Sequence, residues 1–272
     1  MRGVKRLVVK VGTSSLAYPN GNLNVRRMER IVRQVSDLRN RGLETILVTS
    51  GAIAAGVGRM GLAKRPSDLA ETQALAAIGQ GILMHMYEKL FSEYGHPVAQ
   101  VLLTREDVAS PVRYHNVHNT FEALLRYGVV PIVNENDTVA VDEIKFGDND
   151  TLSALVAVIT GARLLILLSD VEGLYSGDPR KDSGARLIPL VSSIDDSICH
   201  CAGGAGSGLA VGGMATKIEA ARIATGKGVY VVVASSEQEE ILERIIDGAE
   251  VGTLFLPQQL DHIGQRRQGC SG

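Results

Sequence analysis

The sequence predicts an α/β fold with an open, mainly parallel sheet and helices on both faces. Three observations predict it. Short apolar, β-branched runs alternate with amphipathic helical stretches along almost the whole chain. Polar and glycine-rich clusters follow those runs where the carboxyl ends of strands would lie. No internal repeat or low-complexity tract interrupts the alternation.

The elements follow in order. Leu7–Val11 is a strand interrupted only by Lys10. Asn24–Asn40 places Met28, Ile31, Val32, Val35 and Leu38 on one helical face, with Asn24 as N-cap. Thr45–Thr49 reads as a strand, and Ser67–Glu93 carries Leu75, Ile78, Ile82, Met86 and Leu90 at helical spacing. Pro97–Leu103 is a strand, Asn116–Tyr127 a helix and Val129–Val133 a strand. Thr138–Phe146 alternates in the manner of a hairpin. A helix over Thr151–Thr160, a strand over Leu164–Leu168, a helix over Met214–Thr225 and a strand over Val229–Val233 complete the series. Residues 1–260 are expected to form one domain, and the polar, glycine-rich Asp261–Gly272 a disordered tail.

Composition narrows the class. Hydrophobic residues make up 45% and charged residues 21% of the 272, enough to bury a sizeable core. A net charge of −2 gives no electrostatic reason to expect nucleic acid or an anionic membrane as partner. No apolar run approaches the ~20 residues of a membrane helix. The start MRGVKRLVVKVG lacks the order of a secretory signal. Three cysteines (Cys199, Cys201 and Cys270) fit a reduced, cytoplasmic chain better than a disulfide framework. Cys199-His200-Cys201 has no second pair at metal-ligand spacing, which disfavours structural zinc.

The polar clusters are the candidate site. The first strand leads to Lys10, Gly12, Thr13 and Ser14, the second to Ser50-Gly51-Ala52, and the strand at Val129 to Asn134-Glu135-Asn136-Asp137. Gly147-Asp148-Asn149-Asp150 precedes a helix, and Ser169-Asp170 follows the strand at Leu164. Lys10 reads either as an edge-strand lysine that blocks aggregation or as a cation on the floor of a phosphate site. Gly203–Lys217, GGAGSGLAVGGMATK, offers backbone N–H groups to an anion and sets Thr216 and Lys217 in the first turn of a helix. Neither GxxxxGK[ST] nor a Rossmann-type glycine turn after the first strand is present. Asp150 reads as a helix N-cap, and a carboxylate of this FGDND loop could hold active-site lysines or orient Mg²⁺.

Taken together, Val9–Ser14, Thr49–Ile53, Val133–Asp137, Phe146–Asp150 and Gly212–Lys217 resemble the amino acid kinase family from about Lys5 to Leu256. VNENDTV together with FGDNDTLSA is similar to the branch that phosphorylates the side-chain carboxylate of free glutamate at the start of proline synthesis. Two departures stand out. Ala210-Val211 precedes Gly212 where the family usually shows Gly-Thr, which removes a hydroxyl near the phosphates, and the chain stops before the PUA domain of many relatives. Functions tied to that domain are therefore expected to be absent.

The resemblance implies about eight strands between helical layers, glutamate in the N-terminal half and ATP in the C-terminal half. It implies Lys10, Asp150 and Lys217 as catalytic residues, with Asp150 positioning the two lysines. Ser50, Gly51, Asp137, Asp148 and Asn149 would bind substrate. Lys10, Ser169, Asp170, Val211, Gly212, Gly213, Met214, Ala215, Thr216 and Lys217 would hold the nucleotide. Mg²⁺ with ATP, a homo-oligomer and proline as feedback inhibitor complete the expectation. The residues agree with such chemistry. A carboxylate nucleophile is already ionised at neutral pH, so charge and alignment suffice and no general base is needed. Acidic residues crowding the substrate side suit a free ammonium group and disfavour a nucleoside monophosphate. A family member acting on aspartate or N-acetylglutamate, and a catalytically inactive amino-acid sensor, remain as alternatives.

Overall fold

The structure is a computed structural model and describes residues 3–140, 149–179, 182, 184–201 and 213–258. In chain order the elements are β1 (Arg6–Val11), α1 (Thr13–Leu16), α2 (Val25–Asn40), β2 (Glu44–Val48), α3 (Ala52–Arg59), α4 (Leu69–Ser92), β3 (Val98–Leu103), α5 (Arg105–Ala109) and α6 (Pro111–Arg126). They continue with β4 (Val130–Glu135), α7 (Asn149–Ile159), β5 (Leu164–Ser169), β6 (Leu190–Val191), α8 (Asp196–Cys201), α9 (Met214–Thr225), β7 (Tyr230–Ser235), α10 (Ile241–Asp247) and β8 (Thr253–Phe255). The strands form one eight-stranded sheet in the order β3-β4-β2-β1-β5-β7-β8-β6. Every pairing is parallel except that of β7 with β8. Among the described residues no helix is long and apolar enough to cross a membrane.

The period-two alternation of strands assigns the two faces. Val8, Ile46, Val48, Val133, Leu165, Leu167, Val231 and Val233 pack with the buried residues of α6, α7 and α9. Leu7, Val9, Val11, Leu47, Ile132, Ile166, Leu168 and Val232 face α2, α4 and α10. Lys10 therefore points, like Val8, to the side of α7 and α9. It sits on β1 between β2 and β5, opposite Val48 and Leu167. The edge-strand explanation of Lys10 is thus overturned: β1 is an interior strand and has no free edge to protect.

Local chemistry explains most boundaries. The Asn24 side chain accepts from the N–H of Arg27 at 3.1 Å and caps α2 as expected. Asp68 caps α4 in the same way through Glu71 N–H at 2.9 Å. α6 starts at Pro111, five positions before the expected Asn116, because proline fits the first helical position. β4 runs on through Asn134 and Glu135, so these polar residues belong to the strand and not to a loop. Only Thr138–Ala140 of the expected hairpin are described, as a turn; its remainder lies outside the described residues. The tail from residue 261 also lies outside them.

Helices α3 and α4 meet backbone to backbone. A Cβ on Gly79 would lie 1.7 Å from the carbonyl oxygen of Ala52, and one on Gly56 would lie 2.1 Å from that of Leu75. Neither neighbour can swing aside, so overpacking should far outweigh the ~1 kcal/mol of helix propensity that alanine brings. Gly79→Ala is expected to lower Tm by roughly 5–10 °C. Gly81→Ala, on the open side of the same helix with nothing within 4 Å of its Cβ, should leave Tm unchanged or raise it. Equal melting of the two variants in differential scanning calorimetry would show that α3 and α4 can move apart.

Candidate active site

Because β1, β2, β4, β5 and β7 run parallel, their carboxyl ends open on the same edge of the sheet. A cleft of about 970 Å³ lies there. Its lining includes Lys10, Gly12, Thr13, Ser14, Ser50, Gly51, Asn134, Glu135, Asp137, Asn149, Ser169, Asp170 and Lys217. Residues from all five predicted strand-end clusters, together with Lys217 of the glycine-rich segment, thus share one cavity.

At the floor, Asp150 is completely buried in the first turn of α7. Its Oδ1 lies 2.6 Å from Lys10 Nζ, and its Oδ2 accepts from Lys217 Nζ at 3.2 Å and from the hydroxyl of Thr216 at 2.9 Å. Lys10 and Lys217 are themselves only 4% and 5% exposed, so both ammonium groups are held by buried geometry rather than by solvent. Burial alone pushes the Asp150 carboxyl up. The charges of Lys10 and Lys217, with hydrogen bonds from Lys10 and Thr216, outweigh it and hold the group below its ordinary value of 3.8. α7 begins at Asn149, so Asp150 is inside the helix and its carboxylate faces the lysines. The N-cap expectation for Asp150 is corrected accordingly.

A second polar cluster adjoins the first. Asn149 Nδ2 lies 2.6 Å from the carbonyl oxygen of Thr49, 3.0 Å from Ser50 Oγ and 2.8 Å from Asn134 Oδ1. Gly51 adopts φ 93°, the left-handed turn that lets α3 start directly after β2 with its N-terminus beside the cleft. Asp137 and Glu135 also line the cleft. Asp148 lies outside the described residues.

Among the residues expected to hold the nucleotide, Ser169 ends β5 and its hydroxyl donates to Asp170 at 3.0 Å. Val211 and Gly212 lie outside the described residues, whereas Gly213 precedes α9 and Met214, Ala215, Thr216 and Lys217 form its first turn. Of these five, only Lys217 lines the cleft, and Thr216 turns its hydroxyl to Asp150 and to the Gly213 carbonyl.

Several contributors were not singled out from sequence. Arg27 of α2 lines the cleft, donates to the Ser14 carbonyl at 2.9 Å and pairs with Glu237. Ser15 and Ser236 share a buried hydrogen bond of 2.8 Å that ties α1 to the end of β7. Gln80 and Tyr87 of α4 reach Asn134 and Thr49. A lone serine or arginine has no local signature, and only the tertiary fold brings these together. The Cys199–Cys201 segment lies on α8, where Cys199 meets Arg222 and Cys201 meets the Ser176 carbonyl.

The open parallel sheet thus carries, at the carboxyl ends of its strands, two lysines converging on one buried carboxylate. The chain belongs to the amino acid kinase family, whose profile matches residues 5–235. Among similar curated proteins is a glutamate 5-kinase of Carboxydothermus hydrogenoformans, 57% identical over 95% of this chain and 70% of its own length. A glutamate 5-kinase of Clostridium acetobutylicum is 54% identical over 95% of this chain and 97% of its own length. Among solved structures, UMP kinase from Bacillus anthracis superimposes with a TM-score of 0.64 at 19% identity, over 94% of this chain and 98% of that one. That likeness concerns the fold.

Proposed function

We propose that the protein transfers the γ-phosphoryl group of ATP to the γ-carboxylate of L-glutamate, giving L-glutamyl 5-phosphate and ADP in the cytoplasm. The observation that carries the reading is the Lys10–Asp150–Lys217 cluster set against the Ser50–Asn134–Asn149 cluster in one cleft. Relatives at 54–57% identity bearing the glutamate 5-kinase name support the choice of substrate.

In the reaction, an oxygen of the γ-carboxylate attacks the γ-phosphorus. The bond to the β–γ bridging oxygen breaks, and its electron pair leaves with ADP. No proton has to move, so the residues have two tasks, alignment and charge. Lys10 and Lys217 place ammonium groups at the cleft floor, where charge on the transferring phosphoryl group would be neutralised. Asp150 keeps the two from repelling each other out of position. The Asn149 nitrogen is committed to Thr49, Ser50 and Asn134, which leaves its Oδ1 as an acceptor for the substrate ammonium group. Glu135 and Asp137 add negative potential at that end. Asp150 is taken up by the lysines and does not contribute to that potential.

The family expectation of Mg²⁺ fits a metal that arrives on the nucleotide. Among the described residues no group of three or more His, Cys, Asp or Glu side chains is arranged to hold an ion, and both Asp150 oxygens are engaged. Mg²⁺ would supply charge neutralisation on the ATP phosphates. Asp170, exposed beside Ser169 and lining the cleft, is the residue that would help hold it.

The test is glutamate-dependent ADP release with hydroxamate trapping of the acyl phosphate. Aspartate and N-acetylglutamate serve as comparison substrates. Preferred turnover of either would reassign the substrate, and amino-acid binding without ADP release would identify a sensor.

Proline is expected to inhibit in competition with glutamate. It shares with glutamate an α-carboxylate and, as a secondary amine, an ammonium group, and so can engage the donors at Ser50 and Gly51 and the acidic end at Asp137. It offers no side-chain carboxylate to phosphorylate. Its rigid ring loses less rotamer freedom on binding than glutamate does. Initial rates over a grid of proline and glutamate concentrations should show inhibition relieved by glutamate and not by ATP. Inhibition that saturating glutamate leaves intact would put proline at a separate site.

A further inference from the structure

We infer that Gln80 is a positioning residue for the amino-acid end of the site, acting through Asn134 on the amide of Asn149. This rests on the functional reading above, and the donor and acceptor logic behind it is fixed at both ends by backbone. The Thr49 carbonyl can only accept, so the Asn149 atom 2.6 Å from it is the NH₂ nitrogen. The Glu135 N–H can only donate, so the Asn134 atom 3.0 Å from it is the oxygen. Asn134 Oδ1 therefore accepts from Glu135 N–H and from Asn149, and the Asn134 NH₂ must point the other way. There it donates to Gln80 Oε1 at 2.8 Å.

Asn134 is 2% exposed and Gln80 8% exposed, so water is a poor substitute for that acceptor. If the acceptor is lost, the Asn134 NH₂ is left buried without a partner. The flipped amide is no better, because it sets that NH₂ against the Glu135 N–H and the Asn149 NH₂. Either outcome loosens Asn149 and the direction of its Oδ1.

The helix that carries Gln80 suits the task. Gln73, Gln80 and Tyr87 recur at seven-residue spacing on α4, and each holds a different group in β4 or in the segments that follow β2 and β4. Gln73 donates to the Ala140 carbonyl at 3.2 Å, Gln80 accepts from Asn134, and Tyr87 shares a 2.8 Å hydrogen bond with Thr49. Gly79 locks the same turn against α3. Gln80 Nε2 is buried without a hydrogen-bond partner, so among the described residues the Asn134 contact is the one hydrogen bond its amide group makes. A substitution there reports on that contact.

The test compares Gln80→Met, which keeps length and loses the acceptor, with Gln80→Glu, which keeps an acceptor oxygen. Gln80→Met is expected to raise KM for glutamate about 10-fold, the size of one lost buried hydrogen bond. KM for ATP and kcat should stay within about 3-fold, and Gln80→Glu should stay within about 3-fold on all three. In an Asn134→Ala background, Gln80→Met should add nothing further to the glutamate KM. That last arm holds even if the single variant is poorly stable, since loosening of α4 would act in both backgrounds. Equal shifts of both KM values, an unaffected Gln80→Met, a Gln80→Glu as impaired as Gln80→Met, or full additivity with Asn134→Ala would each overturn the positioning role. Wild type lacking glutamate-dependent turnover would overturn the functional reading and this inference with it. Normal turnover with a glutamate KM insensitive to Gln80 would overturn the inference alone.

Discussion

Lys217→Ala is expected to lower kcat by about 10²–10³-fold while KM for glutamate changes by no more than about 3-fold. The side chain leaves the first turn of α9, is 5% exposed, and brings its ammonium group to the floor of the cleft beside Lys10. Its contacts lie with Asp150 and not with the Ser50–Asn134–Asn149 cluster, so amino-acid affinity should survive its loss. An ammonium group that meets charge developing on the phosphoryl group stabilises the transition state more than the ground state, and its removal appears in kcat. Stability should fall only modestly. Asp150 keeps Lys10 and the Thr216 hydroxyl as partners, so the buried carboxylate is not stranded. Steady-state kinetics in both substrates, alongside a melting curve, decide the matter. A near-normal kcat with a raised glutamate KM would move Lys217 to substrate binding.

Much of this site could be read from sequence because parallel sheets turn sequence order into spatial order. Each apolar strand ends in a polar cluster, and parallel pairing places those ends on one edge, so Lys10, Ser50, Asn134 and Ser169 were legible as neighbours. Strong local chemistry was legible too, as in the Asn24 cap and in α9, whose bounds match the expected Met214–Thr225.

What escaped has physical reasons. α3, AIAAGVGR, is weak by propensity because Gly56 and Gly58 lie inside it, and it is sustained by close packing on α4. β6 and β8 contain two and three residues, too few to show alternation, and the antiparallel join of β8 to β7 and the parallel join of β6 to β8 depend on tertiary pairing. α10 follows Glu240, a non-glycine residue at φ 51°, which no composition rule announces. The apolar stretch at Val129 hid the fact that β4 continues through Asn134 and Glu135. Strand geometry rather than loop freedom therefore sets where those two side chains point. The support from α4 was invisible for a related reason. Gln80 and Tyr87 lie on a helix whose apolar pattern accounts for burial and says nothing about which polar atoms reach across to β2 and β4.

Asp150→Asn should differ from Lys217→Ala in losing stability as well as rate. Two buried ammonium groups share this one fully buried carboxylate. The amide keeps the shape but removes the charge and offers donors where donors already converge. Breaking a buried ion pair on one side costs about 3 kcal/mol or more, because the partner charges stay behind unpaired. Turnover should fall by about 10²-fold or more as Lys10 and Lys217 lose their common anchor. The pH dependence separates charge from shape. The folded-state pKa of Asp150 is held below its ordinary value of 3.8, so its contribution to stability is fully present above that value and is lost as pH falls through the folded-state value. The melting difference between wild type and Asp150→Asn should thus be largest at neutral pH, hold down to about pH 5, and shrink on further acidification. A role confined to shape or helix capping would give a small difference independent of pH, with specific activity intact, and that pattern would remove Asp150 from the lysine-positioning role.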